Sequence, residues 1–212
     1  MAEEPGNRTS PPRLVVGPGG EQAAALIAAL VARGETVAAA ESLTAGLVCA
    51  TLAQVPGASA ALRGGLVVYA TELKTALAGV DARLLAEHGA VHPEVAAQLA
   101  VGARERCGAT WGLGLTGVAG PAAQDGVAPG TVHVGLAGPG TPRLSGARVA
   151  EPPNRGEASF DTGLSGARVA EPPTGGEASF VTVRTLALSG DRDLIRTQSV
   201  RAAFSLLGEH LA

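Results

Sequence analysis

The sequence predicts a single-domain α/β layered sandwich, with helices on the faces of a mixed β-sheet. Two observations predict it. Apolar segments of strand length alternate with segments of helical periodicity along most of the chain. Of the 212 residues, 46% are hydrophobic but only 2% are aromatic, so Ala, Val and Leu must form a core packed at short range. A chain of this length forms one domain or at most two.

The first predicted elements are a helix, a strand and a second helix. Apolar residues recur at helical spacing over residues 21–33, and Gly34 follows as a helix C-cap would. The short apolar run 36–40 predicts a strand. A second helical pattern then opens at Ser42 or Thr44.

The rest of the chain continues the alternation. Apolar runs of strand length predict strands over 65–69, 110–115, 131–136 and 181–188. Helical spacing, with acidic residues in the first turn or Pro at the start, predicts helices over 81–87, 93–106 and 191–211.

Two segments are predicted to lie outside this pattern. Residues 1–20 are rich in Pro, Gly and charge, and we expect a flexible leader before the domain at 21–212. Residues 144–160 recur almost unchanged as 164–180. Two copies are too few for a solenoid, so we interpret 144–180 as a duplicated hairpin insertion at the sheet edge, where extra length costs little loop entropy. A lid or a dimer arm is the functional alternative.

Composition argues against several classes of protein. The net charge of −3 provides no basic surface for nucleic acid or anionic membranes, and we expect neither partner. The most apolar run, 23–32, is too short to cross a membrane, and no secretory signal is visible, so we expect a cytoplasmic protein. Cys49 and Cys107 have no spacing typical of zinc ligands. We therefore expect no metal and two buried thiols.

The turn Glu41-Ser42-Leu43-Thr44-Ala45-Gly46 is the main candidate for chemistry. A helix opening here would place the Ser42 and Thr44 hydroxyls beside free backbone N–H groups that attract anions. A plain helix N-cap is the alternative. A second small-residue turn, 116–121, follows another strand. Ligands of open α/β sheets gather beyond the C-terminal strand ends, so we expect the two turns to face one crevice.

A serine nucleophile needs a base, and none of the four histidines lies in a pattern that suggests this role. Lys74 is the only lysine in the chain. Lysine can lose its proton when desolvated and act as a base, whereas arginine cannot. Tyr69, the only tyrosine, lies five residues earlier and could relay the proton. A surface lysine and an interface tyrosine are the alternative on these residues alone.

Several motifs occur in a distinctive order. They are Ala40-Glu41-Ser42-Leu43-Thr44-Ala45-Gly46, Gly65-Leu-Val-Val-Tyr69 with Lys74, Leu115-Thr-Gly-Val-Ala-Gly-Pro121, and Ser189-Gly-Asp-Arg192. Together they resemble the C-terminal domain of the competence/damage-inducible CinA proteins. That domain as a stand-alone protein is a nicotinamide-nucleotide amidase of the PncC type, and we expect the stand-alone form. The family usually reads E-S-[CAL]-T-G-G, so Ala45 stands where the resemblance expects glycine.

The resemblance implies a hydrolase that converts nicotinamide mononucleotide (NMN) to nicotinate mononucleotide and ammonia in pyridine nucleotide recycling, without a cofactor. It implies Ser42 as the nucleophile, with Tyr69 and Lys74 as the proton-handling pair. Backbone N–H groups of the turn 44–46 are the expected oxyanion donors, and the turn 116–120 with Arg192 is expected to grip phosphate or ribose. The expected substrate-binding residues are Glu41, Thr44, Ala45, Gly46, Thr116, Gly117, Gly120 and Arg192.

Two other functions are left open by the sequence. One is a catalytically silent interaction module of the competence or DNA-damage response, suggested by the family's name and by Ala45 in the central turn. The other is an amidase acting on a different small amide. Assembly into a homo-oligomer is also left open.

Overall fold

The computed structural model describes residues 19–141 and 181–212. The helices are α1 (Gly20–Arg33), α2 (Leu47–Ala53), α3 (Thr71–Ala78), α4 (Ala82–His88), α5 (Pro93–Cys107) and α6 (Arg192–Leu211), with one 3-10 turn at Ala58–Ala60. The strands are β1 (Val37–Glu41), β2 (Leu62–Val67), β3 (Trp111–Gly117), β4 (Thr131–Ala137) and β5 (Val181–Ala187). Most of the expected leader and the duplicated segment 144–180 lie outside the described residues.

The five strands form one mixed sheet in the order β2-β1-β3-β4-β5. Strand β1 pairs in parallel with β2 and β3, whereas β4 runs antiparallel to β3 and β5. The predicted α/β sandwich with a mixed sheet is therefore confirmed. In the part of the chain that is described, no helix is both long and apolar enough to cross a bilayer.

The two faces of the sheet carry separate cores. Successive strand residues point to opposite faces. Val37 and Ala39 of β1 accordingly pack with α1, α2 and α6, while Ala38 and Ala40 pack with α3, α4 and α5. All five residues of β1 are buried. Strand β1 is thus covered on both sides, and functional groups at its end are held by a rigid support.

Helix α5 packs on the part of the sheet formed by Gly112, Gly114 and Gly135, which we call the glycine face. A Cβ added at Gly112, Gly114 or Gly135 would overlap backbone atoms of Ala96 or Ala100 in α5. Backbones can approach this closely only where no side chain separates them. This is the short-range packing that the low aromatic content predicts.

The structure differs from the predicted elements in three ways that affect the site. The second helix begins at Leu47, not at Ser42 or Thr44, so a longer turn separates it from β1. Helix α3, which carries Lys74, was not predicted, because its two turns are too short to show an apolar period. Strand β2 ends at Val67, so Tyr69 lies in the connection to α3 and not at the end of a strand.

The glycine face provides a stability test. Gly114→Ala should lower the free energy of unfolding by about 2–3 kcal/mol, since the new methyl group meets backbone atoms that cannot swing aside. Urea denaturation followed by circular dichroism measures the loss. Gly208→Ala is the matched control, because its Cβ would make only an ordinary contact with Leu26, 3.6 Å away, in the interior of α6. That variant should be as stable as the parent or more stable by up to about 1 kcal/mol. Equal effects at the two positions would contradict the close α5 contact.

Candidate active site

The turns after β1 and β3 meet at one edge of the sheet. Glu41 lies opposite Leu115 in the parallel register, and the next amide, Ser42 N–H, donates to the Leu115 carbonyl at 3.0 Å. Beyond these strand ends lies a cavity of about 330 Å³, lined by residues of both turns. The crevice expected from the two turns is therefore present.

The cavity brings together some of the predicted site residues and leaves others outside. Its lining includes Ser42, Tyr69, Thr116, Gly117, Gly120 and Arg192. Five predicted residues are not in the lining: Glu41, Thr44, Ala45, Gly46 and Lys74. None of the four histidines lines it either, so no imidazole is placed there as a base.

Glu41 is a helix cap rather than a wall of the cavity. Its side chain is 1% exposed, and its carboxylate accepts from the N–H groups of Gly46 and Val48 at Oε2, at 2.9 and 3.0 Å. Oε1 accepts from Cys49 N–H at 3.0 Å. A carboxylate at a helix N-terminus satisfies free donors and opposes the helix dipole. We therefore assign Glu41 a structural role in place of the substrate contact predicted for it.

The same turn contains two consecutive residues with left-handed backbone. Ala45 has φ 49° and Gly46 has φ 93°. Glycine adopts this conformation without cost, but a Cβ makes it unfavourable by about 1–2 kcal/mol. Glycine would therefore fit the backbone at position 45 better than alanine does, and the E-S-[CAL]-T-G-G pattern has glycine there.

The predicted oxyanion donors of the turn 44–46 are not available to the cavity. Ala45 N–H donates to the Ser42 carbonyl at 3.1 Å, and Gly46 N–H is bound by Glu41. Among the described residues, no hydrogen bond is found for Thr44 N–H. Thr44 is fully buried and outside the cavity lining, however, so the one unbonded amide of the turn 44–46 does not reach the cavity.

Lys74 is buried beside the cavity edge. The side chain is 1% exposed, and Nζ donates to the carbonyls of Val68 and Tyr69 at 2.9 and 3.2 Å. Burial lowers the pKa of Lys74 below its ordinary value, and the nearby Glu72 carboxylate acts in the opposite direction. A lysine in this setting holds its proton less firmly than one in water.

Tyr69 and Arg192 are bound to each other across the cavity. The Arg192 guanidinium donates from Nη2 to the Tyr69 hydroxyl at 2.8 Å and from Nη1 to the Gly120 carbonyl at 2.9 Å. Arg192 is the one charged side chain among the residues that line the cavity. The cavity therefore favours an anionic ligand group.

Comparison with known proteins places the chain in a family. Residues 20–166 match the CinA C-terminal domain. The chain belongs to this family. It is 57% identical over 110 residues to a CinA-like protein of Frankia casuarinae and 55% identical over 121 residues to one of Anaeromyxobacter sp. (strain Fw109-5). These matches cover 52% and 57% of this chain but only 25% and 30% of the two CinA-like proteins.

Solved CinA structures have the same fold. The competence/damage inducible protein CihA of Agrobacterium tumefaciens superposes with a TM-score of 0.69 at 26% identity, covering 91% of this chain and 95% of CihA. A CinA superfamily protein of Enterobacter cloacae superposes with a TM-score of 0.70 at 20% identity, covering 100% of this chain and 99% of that protein. The second comparison supports the fold alone.

The structure of this CinA domain also adds residues that sequence reasoning missed. Ala90 and Val91, between α4 and α5, line the cavity, and the Thr116 hydroxyl donates to the Ala90 carbonyl at 2.6 Å. Arg196 binds the carbonyls of the Ser42 turn, from one helical turn beyond Arg192. The i, i+4 spacing of the two arginines was the one available signal.

Cys49 is not a competing nucleophile in this CinA domain. Its thiol donates to the Gly64 carbonyl at 3.6 Å. Burial, reinforced by the negative charge of Glu41, raises the pKa of Cys49 to about 12. The thiolate, which is the reactive form, is therefore scarce at neutral pH. Both cysteines are partly exposed, so the prediction of two buried thiols is only partly met.

The backbone of the turn predicts an unusual substitution effect. Ala45→Gly should raise the free energy of unfolding by about 0.5–1 kcal/mol, because relief of the left-handed strain exceeds the entropy that glycine adds to the unfolded chain. Ala50→Gly, at an exposed position in α2, is the control and should lower it by about 1 kcal/mol. Denaturant titration distinguishes the signs. A loss at both positions would show that residue 45 is not left-handed.

Proposed function

We propose that this CinA domain hydrolyses the carboxamide of NMN to give nicotinate mononucleotide and ammonia, with Ser42 as the nucleophile. The observation that carries the proposal is the cavity in which Ser42, Tyr69 and Arg192 meet. The cavity volume of about 330 Å³ lies at the lower end of the range for small-ligand sites, which suits a mononucleotide. Membership of the CinA family, together with the resemblance to stand-alone nicotinamide-nucleotide amidases, supports the same choice.

Lys74 supplies the base in this proposal. A neutral amine has two N–H donors and one lone pair. The two carbonyls bound by Nζ satisfy both donors, so a neutral Lys74 keeps its lone pair as an acceptor. That lone pair takes the Ser42 proton, directly or through one water or the Tyr69 hydroxyl. Desolvation favours this neutral form of the lysine.

The reaction proceeds through an acyl-enzyme. Ser42 Oγ attacks the carboxamide carbon, and the carboxamide oxygen becomes negative in the tetrahedral intermediate. The proton returns to the leaving nitrogen, which departs as ammonia. Water then attacks the ester, and the same base accepts the water's proton and passes it to Ser42 Oγ as that oxygen departs. Nicotinate mononucleotide is released and Ser42 is restored.

Arg192 recognises the phosphate in this proposal. It is the charged group of the cavity lining, and its planar guanidinium matches the geometry of a phosphate. Two of its N–H groups donate to Gly120 and Tyr69, and in the part of the structure described the remaining ones are free to donate to the ligand. The contact with Tyr69 connects the anion site to the residue that relays the proton.

The first test is ammonia release from NMN. Purified protein should release ammonia. Ser42→Ala should abolish release because the other two hydroxyls of the lining are engaged, Tyr69 with Arg192 and Thr116 with the Ala90 carbonyl. Cys49→Ala is a suitable control, since its thiol faces the Gly64 carbonyl and should leave turnover intact. The readout is a coupled ammonia assay, with nicotinate mononucleotide identified by chromatography.

Two results would count against the proposal. Unchanged turnover in Ser42→Ala would remove the serine mechanism. No ammonia from NMN, together with no thermal shift at millimolar NMN, would favour an interaction module, while ammonia from another amide alone would change the substrate.

A second test uses pH. Because the active form of Lys74 is neutral and its pKa lies below the ordinary 10.5, kcat/KM should rise with pH and level off below pH 10.5. Lys74→Arg cannot lose a proton in this range and should be inactive at every pH. A profile that is flat from neutral to alkaline pH would exclude Lys74 as the base.

A further inference from the structure

The loop between β3 and β4, residues 118–130, forms a wall of the cavity, because its residues 118–124 all belong to the lining. At the start of the loop, the Gly120 carbonyl accepts from Arg192 of α6 at 2.9 Å. At its tip, a Cβ built on Gly89, between α4 and α5, would lie 3.8 Å from the Asp125 Cβ. Helix α6 packs on one face of the sheet, and helices α4 and α5 pack on the other. The loop therefore reaches across the sheet edge from one face to the other.

The tip of this loop directs the Gln124 side chain inward. Gln124 and Val127 exchange both of their backbone hydrogen bonds, at 3.1 and 2.8 Å, across a two-residue turn. Residues paired in this way carry their side chains on the same face of a hairpin. Val127 is the one residue of 121–129 that is not exposed, so this face is turned toward the protein. The carboxamide of Gln124 therefore points toward the cavity that Gln124 lines.

Gln124 carries a polar group that the protein itself leaves unused. The lining residues with polar side chains are Ser42, Tyr69, Thr116, Gln124 and Arg192. The Tyr69 hydroxyl is bound by Arg192, and the Thr116 hydroxyl donates to a backbone carbonyl. In the described part of the chain, Gln124 is bonded through its backbone alone. Its carboxamide, which has two N–H donors and a carbonyl acceptor, is therefore free for a ligand.

NMN has one polar region that the proposed mechanism leaves without a partner. Its carboxamide is placed at Ser42 and its phosphate at Arg192, so the two hydroxyls of its ribose lie between these ends. A hydroxyl both donates and accepts, and a side-chain carboxamide does the same, whereas a guanidinium only donates. Hydroxyls that lose water without gaining a partner cost free energy. Gln124 is thus the free side chain of the lining that matches the ribose.

We propose that Gln124 binds the two ribose hydroxyls of the substrate and makes the site specific for ribosylated nicotinamide. The inference rests on the proposed function, since NMN supplies the hydroxyls. The contact is made equally in the bound substrate and in the transition state, so Gln124 affects binding and not the chemical step. One loop thereby contacts the ligand near its tip, while its start is held by the arginine that binds the phosphate.

The test measures whether the effect of Gln124 depends on the ribose hydroxyls. Gln124→Leu removes the hydrogen-bonding groups and keeps a similar side-chain size. It should raise KM for NMN roughly 10-fold with kcat nearly unchanged, because two hydrogen bonds are lost from both states. With the dideoxyribose analogue of NMN, which lacks both hydroxyls, the parent and Gln124→Leu should have the same KM. Gln22→Leu, which changes an exposed glutamine of α1, is the control and should leave both KM values parental.

A second substitution identifies the ligand group that residue 124 faces. Gln124→Glu can still accept from both hydroxyls and should keep KM for NMN within about 3-fold of the parental value. A larger rise in KM for Gln124→Glu than for Gln124→Leu would show that the side chain faces the phosphate, and would overturn the inference. A parental KM for NMN in Gln124→Leu, or equal rises for NMN and its dideoxy analogue, would overturn it as well.

Binding measurements separate this inference from the proposed reaction. If the parent protein releases no ammonia, the proposed function fails, and calorimetric dissociation constants for NMN and its dideoxy analogue then decide the ribose contact. Gln124→Leu should weaken NMN binding roughly 10-fold and leave binding of the dideoxy analogue unchanged. Equal dissociation constants for NMN in the two proteins, or no binding of NMN by the parent, would refute the contact.

Discussion

The buried carboxylate of Glu41 joins strand β1 to the helix that follows it, and the geometry of the site depends on this contact. Its two oxygens accept three backbone N–H groups at the start of α2. A side chain from the last residue of β1 thus caps a helix that begins at Leu47. The chain between them must turn sharply, which places Ser42 at the cavity and forces Ala45 into the left-handed region. The hydrogen bonds that satisfy one buried carboxylate therefore shape the turn that contains Ser42.

Helix α6 completes the site from the far end of the chain. Arg192 and Arg196 lie four residues apart, so they project from the same face of the helix. The first bridges Gly120 and Tyr69, and the second holds Leu43 and Thr44. Four segments that are remote in sequence are thereby held in one arrangement: the turns after β1 and β3, the connection after β2, and the start of α6. Directional hydrogen bonds from two planar cations give this arrangement more precision than apolar packing alone would.

Much of the architecture was predictable because periodicity is a local property. The apolar runs of β1 and β3, followed by small-residue turns, predicted that Ser42 and Thr116 would lie at one sheet edge, and both line the cavity. Tyr69 and Lys74 were singled out because they are the only tyrosine and the only lysine of the chain. The contact between Arg192 and Tyr69 spans 123 residues, and no local pattern encodes it. The helix-capping role of Glu41 was missed because, in a sequence, a carboxylate beside a serine suggests ligand binding as readily as capping.

The sequence by itself determined the α/β class, the order of most elements and the aliphatic, close-packed core, since composition and spacing act over a few residues. It also singled out the turn containing Ser42. Only the tertiary structure decided which groups in that turn are free. In the folded chain the Gly46 amide donates to Glu41, and the buried Lys74 donates to two backbone carbonyls. It also sets Arg196 on the Thr44 carbonyl, 152 residues away. Donors and acceptors are satisfied by whatever lies within about 3 Å in space, and the fold alone determines that distance.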